Sequence, residues 1–432
     1  MLADLAKPVV RWGVTHGLPR AALRVAARRG DLQARLFVEG GSTPTLGLTG
    51  LFDEVRALGP LSRGAFSYLT ASHAAVRQVL GSNDFRSGIM PAAGIWGRLT
   101  EWSSVDFLHP MAPPSLLVTE PPDHTRYRKL VTRVFTVRAV ENLRARTEEI
   151  AHELLSAISP VGPVDLVATY CGLLPVTVIA EVLGVPPSQR ERVLTLGAAA
   201  APSLDMGLPW RQFRRVDAAL AAFDRWLSEH LSYLRAHPGD NLLSQLVAAR
   251  EDGVGLTDLE LRATAGLVLA AGFETTVNLL GNGIALLHSS PAARAVLRAE
   301  PALWPNAVEE ILRVDPPVLL TGRMAARDTT VAGVPVPAGA LVTTILAGAN
   351  HDPEVFSEPA VFDVRRANAR DHISFSAGRH YCLGAALARM EGEVGLRVLF
   401  DRYPDLRLTP GATHRNTRIL RGYERLPAVL KG

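Results

Sequence analysis

The sequence predicts a mainly helical α+β fold with one smaller β-rich part, and three observations carry that prediction. Apolar residues recur at helical spacing nearly throughout 122–290. Strand-like runs and turns dominate from Val318 to about Phe375. One last long helix begins after Cys382. One compact unit fits this pattern better than separable domains do. The expected division is a basic N-terminal lead-in over 1–43 and a single domain over 44–432, its β-rich part mainly at 60–70 and 318–375.

Taken in order, residues 1–36 carry Lys7, Arg11, Arg20, Arg24, Arg28, Arg29 and Arg35 against Asp4 and Asp31. They lack the apolar run of a secretion signal, so they read as a basic helical lead-in or an amphipathic surface anchor. A helical turn near Leu51–Leu58, two strands around Ser62–Leu69 and a helix over Ser72–Leu80 follow. Residues 85–119 show no periodicity and hold Trp96, Trp102 and Phe107. A stretch of that length reads as a lid or binding loop, its aromatics either core anchors or substrate contacts. The helical region then breaks at Ser159–Pro163, Gly184–Pro187, Pro202–Pro209 and His237–Gly239. Its longest helix opens with a capping box, Thr257 to Glu260, and runs to about Ser289. An interior so poor in charge is buried on most faces. Gly272, Glu274, Thr275 and Thr276 interrupt it: Gly costs about 1 kcal/mol against Ala, and Thr bonds its own helix. Such a local conflict marks a working site or a kinked structural helix with a solvated acid.

Composition bounds the function classes. Apolar residues make up 47% of the 432 and charged residues 20%, which excludes disorder. With 46 basic and 42 acidic side chains the net charge is only +4, too little to argue for nucleic acid. Two cysteines, Cys171 and Cys382, exclude a disulfide scaffold and fit a reducing, cytoplasmic location. No transmembrane segment is expected, because the charge-free run Thr329–Asn350 is broken by glycines and prolines.

The sharpest chemical signal is Phe375-Ser376-Ala377-Gly378-Arg379-His380-Tyr381-Cys382-Leu383-Gly384. Its thiol sits just ahead of a helix N-terminus, whose partial positive charge favours a thiolate. One cysteine with one nearby histidine is a poor zinc site, whereas a single thiolate suffices for haem iron. These residues resemble the cysteine signature of the cytochrome P450 family, the haem-thiolate monooxygenases. Ser376 stands where the family usually has its first Gly. Composition predicts on the order of 10⁻⁵ chance matches to the five matching positions.

Three more segments resemble the family in its order. Ala271-Gly272-Phe273-Glu274-Thr275-Thr276 is similar to its acid–alcohol motif; the resemblance implies that Thr275 hydrogen-bonds dioxygen while Glu274 relays protons from solvent. Glu310 and Arg313 match its Glu-x-x-Arg, implying a buried pair that supports the cysteine loop. The Arg that often joins this pair is missing, Val361 standing in its place in Pro359–Phe362, so Arg365 or Arg366 is expected to satisfy Glu310. His351 stands where related bacterial sequences often show Arg. His124, Arg128, Arg323 and His380 match the family's contacts to the haem propionates.

The resemblance implies the cytochrome P450 fold, with haem b between the long central helix and the segment made of the cysteine loop and final helix. Cys382 would be the axial ligand. The implied reaction inserts one oxygen atom of O2 into a hydrophobic organic substrate. Its electrons come from NAD(P)H through a ferredoxin and a ferredoxin reductase, expected as separate proteins because no Gly-rich dinucleotide turn follows Gly384. An H2O2-driven peroxygenase and a non-catalytic haem or ligand-binding protein are the alternatives. Substrate contacts are expected in 85–119, Pro202–Trp210, Val268, Ala271, Val318–Leu320 and Ile419–Leu420. A basic docking face for the ferredoxin is expected from Arg126, Arg128, Lys129, Arg133, Arg370, Arg379 and Arg389.

Overall fold

The computed structural model describes residues 2–40, 43–88, 94–159, 162–250 and 253–431. Its centre is the helix Asp258–Ser289, 32 residues and therefore about 48 Å long. The capping box is present: Thr257 Oγ1 accepts from the Glu260 N–H, and Glu260 Oε2 accepts from the Thr257 N–H at 2.8 Å. Helices Leu173–Val182, Arg190–Ala200, Trp210–Ala236 and Ala385–Arg402 pack around it. Small residues let them come close; a Cβ on Gly395 would stand 2.8 Å from the Leu174 and Leu280 side chains. The central helix is long and apolar enough to cross a membrane, yet 67% of its most apolar window is buried in the protein. It is a core helix.

The larger sheet has five short strands in the order Ser62–Arg63, Tyr68–Thr70, Leu341–Thr344, Thr321–Ala325, Phe85–Arg86. Tyr68–Thr70 runs parallel to Leu341–Thr344; its other pairings are antiparallel. A mainly helical body with small sheets is the predicted class. The extent of the β-rich part differs, because its strands end at Thr344 rather than near Phe375. Beyond that point the backbone carbonyls of Asn350, Pro359 and Val361 accept from Arg313, so side chains replace a neighbouring strand. Short strands at Arg407–Leu408, Tyr423–Arg425 and Pro427–Val429 were not foreseen; two or three residues carry no readable alternation.

The N-terminal stretch is more than a lead-in. Helices α1 (Leu2–Trp12), α2 (Leu18–Arg28) and α3 (Leu32–Glu39) flank a π-turn at Gly13–Gly17. Leu23, Ala34, Leu36 and Phe37 share a core cluster with Leu69, Leu319 and Ile345. Arg11 pairs with Asp217, and the Trp12 indole N–H donates to Leu208 O at 2.9 Å. Residues 1, 41 and 42 lie outside the described residues.

The stretch 85–119 is not structureless. It contains the helix Gly94–Trp102, which buries none of its side chains and so shows no apolar stripe in sequence. Trp96 and Trp102 are exposed there, neither core anchors nor cavity lining, while Phe107 packs beside Leu208 and Phe213. Residues 89–93 of that stretch lie outside the described residues.

Candidate active site

The cysteine loop is shaped by its backbone. Gly378 has φ +67° and lies so close to Leu80 that a Cβ would meet its carbonyl oxygen at 2.3 Å. Ser376 also adopts a left-handed φ, +63°, which explains why glycine suits that position. The Cys382 N–H donates to Phe375 O at 2.9 Å, closing the loop just before the final helix. Cys382 itself is exposed, although protein packs densely behind it. That packing raises the thiol's pKa, while the Gly384 N–H and the charges of Arg128 and Arg389 pull it down.

The four predicted propionate contacts converge on this loop. His124 and His380 lie with ring centroids 4.5 Å apart and planes tilted by 53°. Arg128 donates to Tyr381 O at 2.7 Å. Arg323 is buried; it donates to Gly322 O at 2.8 Å and approaches Ser376 Oγ at 3.4 Å. Burial lowers its pKa to about 10, with Glu120 opposing. Burial likewise lowers His380 to about 4, Arg323 and His124 adding to the fall. Glu120 joins them, an acid that the sequence motifs did not single out. Its carboxylate accepts from Ser87 N at 2.6 Å, from Arg379 at 2.8 Å and from His380 at 3.2 Å. Burial alone would raise its pKa, yet these donors hold it below the usual carboxylate value.

On the central helix the predicted pair divides. Thr275 is half-buried on a stripe with Val268, Ala271 and Gly272, and its hydroxyl donates to Ala271 O at 2.7 Å. Glu274 is fully buried on another side, its Oε1 3.2 Å from Arg415 Nε. Among the described residues its Oε2 has no partner, and burial raises its pKa while Arg415 opposes. Arg415 had no sequence signal; it comes from the far C-terminal hairpin region.

Behind the loop, Arg313 and Glu310 form a bidentate pair at 2.7 and 2.8 Å, both fully buried. Arg366 supplies the missing cation, donating to Glu310 Oε1 at 3.1 Å, whereas Arg365 turns out to Glu300. His351 Nδ1–H donates to Ala347 O at 2.9 Å, and burial lowers its pKa to about 4.

The outer regions assemble in part as expected. Leu319 N donates to Ile419 O at 2.8 Å, joining Val318–Leu320 to Ile419–Leu420. A narrow cavity over the central helix is lined by Leu108, Phe223, Gly266, Leu267 and Ala270, but not by Val268, Ala271 or Val318. The basic face is less free than its sequence suggests. Arg126 pairs with Glu260, Arg379 with Glu120, and Arg370 and Arg389 with Glu309.

The cytochrome P450 family model matches residues 202–416. Over 434 aligned residues the chain is 51% identical to a Mycobacterium tuberculosis (strain H37Rv) protein carrying the name cytochrome P450 140, covering 98% of each. It is 41% identical over 318 residues to 6-deoxyerythronolide B hydroxylase of Saccharopolyspora erythraea, covering 73% of this chain and 77% of that one. Among solved structures, P450BioI with an acyl carrier protein bearing hexadec-9Z-enoic acid is similar at TM-score 0.81 and 28% identity, covering 90% and 99%. Bacillus megaterium CYP109E1 in complex with testosterone is similar at TM-score 0.77 and 28% identity, covering 88% and 98%. The chain belongs to the cytochrome P450 family of haem-dependent monooxygenases.

Proposed function

We propose that Cys382 is the axial ligand of haem b, and that the enzyme inserts one oxygen atom of O2 into a large hydrophobic substrate. The observation that carries this reading is the cluster around Cys382: Arg379 and His380 pair with Glu120, Arg323 and His124 add two more basic groups beside that carboxylate, and Arg128 bonds Tyr381 O. Among the described residues His124 Nε2 is buried with no hydrogen-bond partner, a costly state that calls for one. Two propionates fit that need, so these residues suit the haem. Bound there, the haem supplies the dioxygen chemistry that side chains lack.

The chain's own groups divide the remaining work. The Gly384 N–H and the charges of Arg128 and Arg389 favour the thiolate of Cys382. Breaking the bond to Ala271 O frees the Thr275 hydroxyl to donate toward the half-buried stripe. Glu274, its pKa raised by burial, takes up a proton more readily than a solvated carboxylate, and Arg415, whose charge lowers that pKa, helps it give the proton up. A hydrophobic substrate is in keeping with 6-deoxyerythronolide B hydroxylase and the testosterone complex among the relatives, while Leu108, Phe223 and Ala270 form the apolar part of a small cavity that His109, Asp224 and Arg262 also line.

Electrons are proposed to come from NAD(P)H through separate ferredoxin and ferredoxin reductase proteins, in the cytoplasm. Docking is proposed on this basic face around Lys129 and Arg370, the latter 72% exposed while it pairs with Glu309 at 3.6 Å. Reversing both charges should slow reduction at low salt and leave ligand binding intact. The same reading treats 44–432 as the monooxygenase unit. Glu274 and Thr275 favour O2 with NAD(P)H over H2O2. Consumption of NADPH and O2 with a surrogate ferredoxin and reductase, yielding oxygenated product, tests this. Product from H2O2 alone, with no turnover on NADPH, would establish the peroxygenase instead.

A further inference from the structure

The buried sides of α2 and α3 are satisfied by the core cluster containing Leu69 and Leu319. The other side of α2 is not covered. Leu18, Ala21, Ala22 and Val25 form one outward stripe at helical spacing, and Phe66, on the turn between Arg63 and Tyr68, lies beside it along an apolar groove. Leu18 is 53% exposed, Val25 47% and Phe66 46%. Soluble surfaces rarely gather large apolar groups in this way without a use for them.

Charge around the stripe is mainly positive, Asp31 being the acid that lines the groove. Arg24, Arg28, Arg29 and Arg63 are exposed, and no acidic side chain pairs with them among the described residues. The acids nearby are already engaged. Asp31 caps α3 through the Ala34 N–H and accepts from the Ala65 N–H at 2.9 Å, while Glu39 and Glu54 pair with Arg35. The Asp31 bond to Ala65 also fixes the turn bearing Phe66 against the N-terminal helices.

We propose that this face docks on the surface of an anionic lipid bilayer. Leu18, Val25 and Phe66 enter the headgroup boundary while Arg24, Arg28, Arg29 and Arg63 meet lipid phosphates. A basic amphipathic helix lying in the interface plane has this composition. A second copy of the chain is disfavoured, because a twofold contact would set four arginines against four arginines. Arg20 donates to Gly207 O at 3.3 Å and Trp12 to Leu208 O at 2.9 Å. Docking therefore brings the 201–210 connection near the lipid, where a hydrophobic substrate concentrates.

The test is co-sedimentation of the full-length holoprotein with vesicles of phosphatidylglycerol or of phosphatidylcholine at low salt. Binding to phosphatidylglycerol should exceed binding to phosphatidylcholine. Arg24→Gln with Arg28→Gln and Arg29→Gln should weaken it on the order of a hundredfold, at about fivefold per arginine. Leu18→Asp with Phe66→Asp should weaken it too, with haem content and thermal midpoint unchanged. Absence of vesicle binding, equal binding to both lipids, or binding indifferent to both sets of substitutions would overturn the proposal. Dimerisation abolished by Leu18→Asp without vesicle binding would overturn it in favour of a second copy.

Discussion

Arg313 and His16 hold two parts of this molecule together in opposite ways. Arg313 is fully buried and makes five hydrogen bonds, two to Glu310 and three to the carbonyls of Asn350, Pro359 and Val361. Arg366 adds a second cation to Glu310. The cysteine loop is thus backed by paired charges that cannot be moved singly without stranding a partner in the core. On the other side of the molecule, His16 Nδ1 accepts from Gly207 N at 3.1 Å and Leu208 N at 3.3 Å, joining the N-terminal helices to the 201–210 connection. That joint includes a neutral acceptor that titrates. The difference teaches where rigidity is placed: behind the cysteine loop, and not at the 201–210 connection.

The largest expected effect lies behind the loop. Arg313→Leu leaves Glu310 buried with one cation, and breaking such a pair costs about 3–5 kcal/mol. Urea unfolding should show that loss together with loss of bound haem; a wild-type midpoint would break the comparison at its stronger end. Arg366→Leu should cost less, about 1–3 kcal/mol, because Arg313 still covers Glu310. Arg365→Ala should leave the midpoint where it is, its pair with Glu300 being solvent-exposed.

The 201–210 side should yield to pH first. Burial, aided by His109, Arg418 and Arg11, lowers His16 from 6.5 to about 4, and burial with Arg11 does the same to His109. Below about pH 6.5 the unfolded chain takes up these protons before the folded one. The stabilisation is therefore complete above that pH and lost as pH falls toward 4. Amide exchange in 205–217 should accelerate over this window, and His16→Asn, which keeps an acceptor without titrating, should flatten the response. An identical pH response in the two proteins would remove His16 from the joint.

A smaller, kinetic effect sharpens the comparison at the centre. Thr275→Ala should leave NADPH consumption within a few-fold of wild type while more of it ends as peroxide, because the hydroxyl proposed to pass protons is gone. Unchanged coupling would reduce Thr275 to a helix residue bonded to Ala271.

The same contrast decides what could be read in advance. The cysteine loop, the Glu310–Arg313 pair and the capped central helix were legible because their chemistry needs fixed residue types at fixed spacing. That left Arg365 and Arg366 as rivals for Glu310, which only the fold separates. Glu274 was legible as an anomaly in an apolar helix, but Arg415 was not, since nothing local marks a residue from a distant hairpin. The helix Gly94–Trp102 escaped because it buries no face. The N-terminal helices were read from their charge, which says nothing of Leu23, Leu36 and Phe37 entering the core.

The central claim is that Cys382 supplies a thiolate to haem iron at the end of a loop braced by Arg313. The carbon monoxide difference spectrum of the reduced holoprotein tests it most directly. Wild type should give the red-shifted thiolate band, and Cys382→Ser and Cys382→His should both lose it while Cys171→Ser retains it. A thiolate band that persists in Cys382→Ser, or that vanishes in Cys171→Ser, would contradict the assignment.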